Sequence, residues 1–376
     1  MNITILVLFM KLAKDTSYKT NVIKININKV VGNIFIILAM IPWVSFGLND
    51  LDSQPWAFIF SIIFLILLRD IIFPKYSKNI LFLVFLGLIF AISVTNSLDT
   101  GVIRGIINYL GLPLLYIAFY NYFVRYGIPI KIFVIFNFLW IGFGFLELYF
   151  PEIMSLLSKM RTSPTRGVTS LAPEATFFGV YLFFSSLILF ESKNLSQNNK
   201  IFILLINFLS VLFLAKSSMG VLYYVISLFL FLIFKFFYTL VDMKIYIKSM
   251  RNFIIWPTII FIIFFIFKDL LLGTRLSSLT NLFFLDKSIM EIIVIDASLN
   301  SRVESVYFSL VGFFKNSFLP GGFDSFIEMR KEILDISQSK YFFNRYESNK
   351  IMSWIGSVFY ELGVFGFMAI ILFFIV

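Results

Sequence analysis

Apolar runs of roughly 15 to 25 residues recur along almost the whole chain, separated by short polar stretches. At that scale the pattern predicts about ten membrane helices. They lie near residues 31–48, 55–71, 80–95, 102–121, 129–150, 174–190, 201–216, 218–240, 253–272 and 352–376. The expected fold is therefore an all-α polytopic membrane protein, with residues 1–376 forming a single integral membrane domain. Such a chain has no room for a separate soluble catalytic domain, so any site must be assembled from loops and helix ends.

Charge then orients the spans. Lys14, Lys19, Lys24 and Lys29 precede the first span. Arg69, Lys75 and Lys78, then Arg125 and Lys131, then Lys193 and Lys200, then Lys244, Lys248 and Arg251 fill every second connection, whereas residues 49–55 and 94–100 hold no Lys or Arg. Basic residues collect on the cytoplasmic side, which predicts an N-in/C-in arrangement in the bacterial cytoplasmic membrane. The opening residues 1–14 lack the positive start and small-residue cleavage site of a secretory signal, and read as an uncleaved cytoplasmic tail.

This orientation leaves two substantial outer segments, residues 151–173 and 272–350. The second far exceeds the usual connection length and reads as functional. Within it, Ser301 and Glu304 read as a capping box. Val303, Val306, Tyr307, Leu310, Val311 and Phe314 then supply an apolar stripe, predicting an amphipathic helix on the membrane surface with Arg302 in its first turn. A helix N-terminus with an adjacent arginine is a candidate phosphate site. Pro320, Gly321 and Gly322 mark a turn that stops this helix near Asn316, and Phe326, Met329, Ile333 and Leu334 predict a second short helix.

Composition narrows the chemistry. The chain is 60% hydrophobic and 14% charged, which places it in the membrane class. It has no cysteine and no histidine, so disulfides, thiolate chemistry and the usual zinc and haem ligand sets are excluded, and no cofactor is expected. The formal charge of +10 is carried mostly at membrane borders, so orientation explains it and nucleic acid is not expected as a partner. One cluster breaks the charge rule: Lys159, Arg161 and Arg166 stand in the first outer segment. Anion binding would account for them.

Three passages carry a resemblance. Arg166-Gly167 is followed by Pro173-Glu174-Ala175-Thr176-Phe177-Phe178-Gly179. Asn300-Ser301-Arg302 leads through Gly312 to Leu319-Pro320-Gly321-Gly322-Phe323. Ser353-Trp354 precedes Glu361-Leu362-Gly363-Val364-Phe365-Gly366. In order and sidedness this set resembles the polytopic enzymes that polymerise or ligate bacterial surface polysaccharides, the O-antigen polymerases (Wzy type) and O-antigen ligases. The ligases carry a histidine near the end of the long loop, proposed as a base; this chain has none, which favours a polymerase.

The resemblance implies a glycosyltransferase, GT-C-like, acting at the outer face on an oligosaccharide repeat unit linked to polyprenyl pyrophosphate. It also implies a place in O-antigen, capsule or exopolysaccharide synthesis, with membrane lipids around it and a flippase and chain-length regulator as partners. Arg166 and Arg302 are the first candidates to stabilise the departing pyrophosphate, with Arg161, Arg275 and Arg104 in support. Glu174 is the candidate base, although the first turn of a helix favours its charged, less basic form. Gly321, Gly322 and the intramembrane Glu361 complete the set expected to bind substrate.

Plainer roles compete with each of these. The arginines could anchor at lipid headgroups, Arg104 could snorkel, and Glu361 could pair with a neighbouring helix. Gly101 and Gly105 have the spacing of a close-packing motif. Competing functions are an O-antigen ligase, a lipid-linked oligosaccharide flippase or other transporter, and a non-catalytic assembly or sensor protein.

Overall fold

The structure is a computed structural model that describes residues 26–45, 54–95, 100–152, 157, 167–217, 219–227, 229–230, 291, 297–337 and 351–375. Among these residues there are helices and no strand. In chain order they are α1 (Ile27–Met40), α2 (Trp56–Leu67), α3 (Ser77–Val94), α4 (Thr100–Tyr126), α5 (Ile130–Tyr149), α6 (Ala175–Glu191), α7 (Gln197–Ser210, continued by a π turn Val211–Ala215), α8 (Ala297–Lys315), α9 (Phe326–Ser337) and α10 (Trp354–Ile375). Within the described residues, five helical stretches are, by length and composition alone, sufficient to cross a membrane: Ser77–Val94, Gly101–Tyr126, Ile130–Tyr149, Gln197–Ala215 and Trp354–Ile375, the last of which is broken at Gly363. The chain is thus a helical membrane protein. The span expected at 253–272 lies outside the described residues, as does most of the one at 218–240.

Two helices stop earlier than their apolar runs. The expected span 31–48 ends as a helix at Met40, because Pro42 disfavours helical geometry at Ile41. The expected span 55–71 ends at Leu67. There the amide of Asn121, from α4, accepts from the Ile72 N–H at 2.9 Å and donates to the Ile72 carbonyl at 2.8 Å, fixing the chain in an extended form. Conversely, α4 runs past its expected end to Tyr126, with Arg125 in its last turn.

Close packing sets the bundle. Phe35, Ile36, Phe64, Ile117 and Tyr122 join α1, α2 and α4, and a Cβ on Gly32 would stand 2.7 Å from the Tyr122 ring. Trp140, Phe178, Leu182, Val211 and Ala215 join α5, α6 and α7. Beneath them lies a buried polar cluster. The Asn137 amide donates to Asn207 Oδ1 at 2.9 Å, the Asn207 amide donates to Ser186 Oγ at 2.8 Å, and Ser185 Oγ donates to Asn137 Oδ1 at 2.7 Å. With water absent from a bilayer core, such groups must satisfy one another, and here they do.

The last helix is not a straight span. Gly363 has φ 59° and ψ −144° inside α10. In a straight helix, residues 358 and 366 would lie about 12 Å apart along the axis. Instead, a Cβ on Gly366 would stand 2.5 Å from the Val358 carbonyl oxygen. The chain therefore doubles back at Gly363, and the expected single span 352–376 is corrected to two half-helices. The turn after α8 fills the break: the Val364 N–H donates to the Phe318 carbonyl at 2.7 Å, and the Gly321 N–H donates to the Tyr360 carbonyl at 2.7 Å.

Helix α8 also differs from expectation. It begins at Ala297, so Ser301 is an interior residue and not a cap, and Arg302 is sixth in the helix instead of in its first turn. The capping-box reading is corrected accordingly, and the N-terminal dipole no longer supports Arg302 as an anion site. The packed face mixes small polar and aromatic residues: Ser301, Ser305, Phe308, Ser309, Gly312 and Phe313 are buried, whereas Tyr307 and Phe314 are exposed. Met352 N–H donates to Ser305 Oγ at 3.1 Å, and a Cβ on Gly356 would stand 2.9 Å from Ser309 Oγ. Small residues let two helices approach where lipid removes any hydrophobic drive between them. The second helix, α9, is as expected, burying Phe326, Met329 and Ile333.

Candidate functional site

Two irregular segments, both expected on the outer face, fold into the protein and frame the candidate residues. The first is Gly167–Glu174. Val168 to Pro173 are all buried. A buried stretch without helix must find partners for its N–H groups. Glu147, one turn from the end of α5, supplies them: its carboxylate accepts from Thr169 N–H at 2.8 Å and from Ser170 N–H at 2.5 Å, with Thr169 Oγ1 at 3.2 Å. Ser170 itself holds φ 55° and donates through Oγ to the Trp140 carbonyl at 2.6 Å. The Glu147 carboxylate is consumed by this cradle, so its role is to position the segment.

The other side of the segment rests on the π turn of α7. Val168 N–H donates to the Leu214 carbonyl at 3.0 Å. Gly167 has φ 101°, and a Cβ there would collide with the Ala215 carbonyl, so only glycine fits. The segment ends at Glu174, the N-cap of α6, where the chain is extended (φ −141°, ψ 143°). Its side chain makes no capping hydrogen bond and is half-buried, which leaves the carboxylate disengaged from the helix it precedes. Glu174 is thus one residue before the first helical turn, not within it.

The second segment is the turn Asn316–Ser325, which docks on the broken α10. Gly322 (φ 84°) lies where a Cβ would meet Thr95 Oγ1 at 3.0 Å, and a Cβ on Gly321 would meet the Tyr360 ring at 2.6 Å. Thr95 Oγ1 accepts from the Phe323 N–H at 3.1 Å. The glycines expected to contact substrate are therefore required by packing. On α4, a Cβ on Gly105 would stand 2.7 Å from the Phe323 ring, so the Gly101/Gly105 pair includes a close-packing position; Arg104 beside it is exposed.

Glu361 lies two residues before the break. Its carboxylate accepts a hydrogen bond from the Tyr109 hydroxyl of α4. Four residues on in α4, Pro113 cannot donate to the Tyr109 carbonyl. A crevice lined by Asn108, Tyr109, Pro113, Trp354, Val358 and Phe373, among others, opens beside this pair and is almost wholly apolar.

Arg302 is half-buried on α8. Two residues on, Glu304 is 3% exposed and Arg330 of α9 is 5% exposed, with Arg330 Nη1 3.7 Å from Glu304 Oε1. Burial raises the Glu304 carboxyl above the usual carboxylate range, and the Arg330 guanidinium partly offsets this.

The structure thus brings Gly321, Gly322 and Glu361 into one region with Arg302 and Arg104 on its helices. It holds Glu174 in the other segment, and no ion pair joins Glu174 to Arg302 among the described residues. Arg161, Arg166 and Arg275 lie outside the described residues. Among those described, no group of three or more acidic side chains converges to hold a metal ion.

Sequence reasoning missed three features. An acid one turn inside a span flagged Glu147, by the rule that singled out Glu361. Lys216 follows the π turn, on the expected outer side, and breaks the charge rule as Arg161 and Arg166 do. The Asn137–Asn207 cluster had no periodic signature. No protein-family model matches this chain, and neither a curated protein nor a solved structure is significantly similar to it.

Proposed function

We propose that this chain polymerises lipid-linked oligosaccharide repeat units at the outer face of the bacterial cytoplasmic membrane. One observation carries the reading: two of the three passages that resemble the polymerase and ligase group dock directly on each other. The Leu319–Phe323 turn seats in the break at Gly363 through the two backbone hydrogen bonds Gly321 N–H to Tyr360 and Val364 N–H to Phe318. Residues some 40 positions apart act as one unit, as an ordered motif set should.

In the reaction, the bond between the anomeric carbon of the growing glycan and pyrophosphate breaks, and the pyrophosphate leaves with the electron pair. The acceptor hydroxyl oxygen of a second lipid-linked unit forms the new glycosidic bond, and its proton passes to a base. No nucleotide is consumed. Arg166 and Arg302 neutralise the leaving pyrophosphate, with Arg161, Arg275 and Arg104 in support. With no histidine in the chain, the base is a carboxylate, and Glu174 has one that no helix cap occupies.

A specific observation favours transport as the second reading. Polar side chains within the spans are a mark of carriers, and Asn137, Ser185, Ser186 and Asn207 form such a cluster. Their hydrogen bonds are satisfied among themselves, which suits helix pairing better than substrate binding.

Purified, reconstituted protein should convert the host's lipid-linked repeat unit into a ladder on a gel without nucleotide sugars. Arg166→Ala and Arg302→Ala should abolish the ladder at unchanged protein level. No ladder from folded protein with authentic substrate refutes the reading and shifts weight to transport or to a ligase with another acceptor.

A further inference from the structure

Lys216 closes the π turn Val211–Ala215 with φ 47° and ψ 37°, the left-handed conformation that usually falls to glycine at a helix end. The conformation is imposed from three sides. Lys216 N–H and Ser217 N–H both donate to the Val211 carbonyl, the latter at 3.3 Å. A Cβ on Gly179 of α6 would stand 2.7 Å from Ser217 Cβ, and Ser217 Oγ accepts from Gly220 N–H at 3.1 Å. The preceding two residues carry the carbonyls that seat Gly167 and Val168. A rigid turn therefore presents this lysine beside the Gly167–Glu174 segment.

The side chain is exposed, and no ion pair joins it to an acid among the described residues. Two preferences oppose a lysine here. The backbone favours glycine, and the expected outer side of the membrane disfavours a cation. Backbone strain of this kind is retained where it has a use.

We propose that Lys216 binds the phosphoanion of a lipid head beside Gly167, the partly exposed start of the Gly167–Glu174 segment, the anion being the pyrophosphate of a polyprenyl carrier or the phosphate of a membrane lipid. The assignment rests on the outer-face orientation used above and, in its pyrophosphate form, deepens the polymerase reading. The ammonium would donate to phosphate oxygens as a point charge, leaving the planar two-pronged contacts to arginine.

The test uses the full chain in phosphatidylcholine nanodiscs, titrated with farnesyl pyrophosphate as a short-chain probe. Lys216→Gly should weaken binding about tenfold, the loss of one charge-assisted contact. Its melting temperature should hold or rise, because glycine relieves the left-handed turn, so weaker binding cannot be ascribed to misfolding. Lys216→Arg should retain binding. The experiment is repeated with phosphatidylglycerol in the discs. If the difference between wild type and Lys216→Gly persists, the anion is the carrier pyrophosphate. If phosphatidylglycerol erases it by competition, the anion is a lipid headgroup. Equal affinity of wild type and Lys216→Gly in phosphatidylcholine overturns the proposal. The assay contains no acceptor sugar and reads no polymer, so failure of the gel ladder leaves it standing.

Discussion

Replacing Gly363 with alanine should unseat the Asn316–Ser325 turn from α10. At φ 59° and ψ −144° the residue occupies a region essentially closed to any side chain. The added Cβ would also stand 2.6 Å from Pro320 N, 2.7 Å from the Leu319 carbonyl carbon and 2.7 Å from the Phe318 carbonyl oxygen. All three are backbone atoms, so no rotamer change can make room. Strain at such a position costs about 1–3 kcal/mol. If the turn withdraws instead, the bonds Val364 N–H to Phe318 and Gly321 N–H to Tyr360 are lost, at about 1–3 kcal/mol for each group left unsatisfied. Strain alone predicts a loss of about 1–3 kcal/mol, and withdrawal of the turn, with two groups left unsatisfied, about 2–6 kcal/mol.

Denaturant unfolding in mixed micelles measures the effect, and limited proteolysis reports whether the 316–325 turn has become accessible. Gly142→Ala on α5 is the control. Nothing lies within 4 Å of its added Cβ, so it should be neutral or stabilising by about 0.5–1 kcal/mol through helix propensity. If Gly363→Ala unfolds no more easily than Gly142→Ala, the doubled-back helix is wrong.

Two further outcomes follow from buried carboxylates. Glu147→Gln replaces one accepting oxygen with an N–H₂ group facing the Thr169 and Ser170 donors, and should lower stability by about 1.5–3 kcal/mol; unchanged unfolding would mean that the cradle is not formed. For Glu304, burial outweighs Arg330, so its folded pKa lies above its unfolded value. The stability of wild type relative to Glu304→Gln should be greatest below the ordinary carboxylate range and should fall as pH rises through the raised folded value. A rise over that window would show that the ion pair, not desolvation, dominates.

Much of the helical framework was legible because apolar runs of membrane length admit few other structures. The failures have a common cause. The end of α2 is set by Asn121, which is 49 positions away in sequence and has no local signature. The break in α10 hides inside a continuous apolar run, because residues on both sides of Gly363 meet lipid or protein equally well. The packed face of α8 was misread because the expected stripe from Val303 to Phe314 left out Phe308 and Phe313, which are buried together with Ser301, Ser305, Ser309 and Gly312, small residues that allow close helix approach. Of the candidate residues, Gly321, Gly322 and Glu361 lie in one region, the glycines held there by packing, whereas Glu147 and Lys216 support a segment whose burial no pattern announced.

The same physics bears on how a site could work here. Irregular backbone close to a membrane is tolerated where protein or a water-filled cavity satisfies it. Both irregular segments meet that demand through groups borrowed from distant helices: Glu147 of α5 for Thr169 and Ser170, Leu214 of α7 for Val168, Tyr360 and Val364 of α10 for the glycine turn. Of the five non-glycine residues with positive φ among those described, Tyr76 precedes α3, and the other four, Ser170, Lys216, Ser317 and Phe318, fall in or beside these two segments. Their conformations are therefore properties of the bundle, fixed by helix packing and not by the loops themselves. Substitutions in the supporting helices, at Glu147 or Gly363, should consequently displace these segments although neither residue belongs to them.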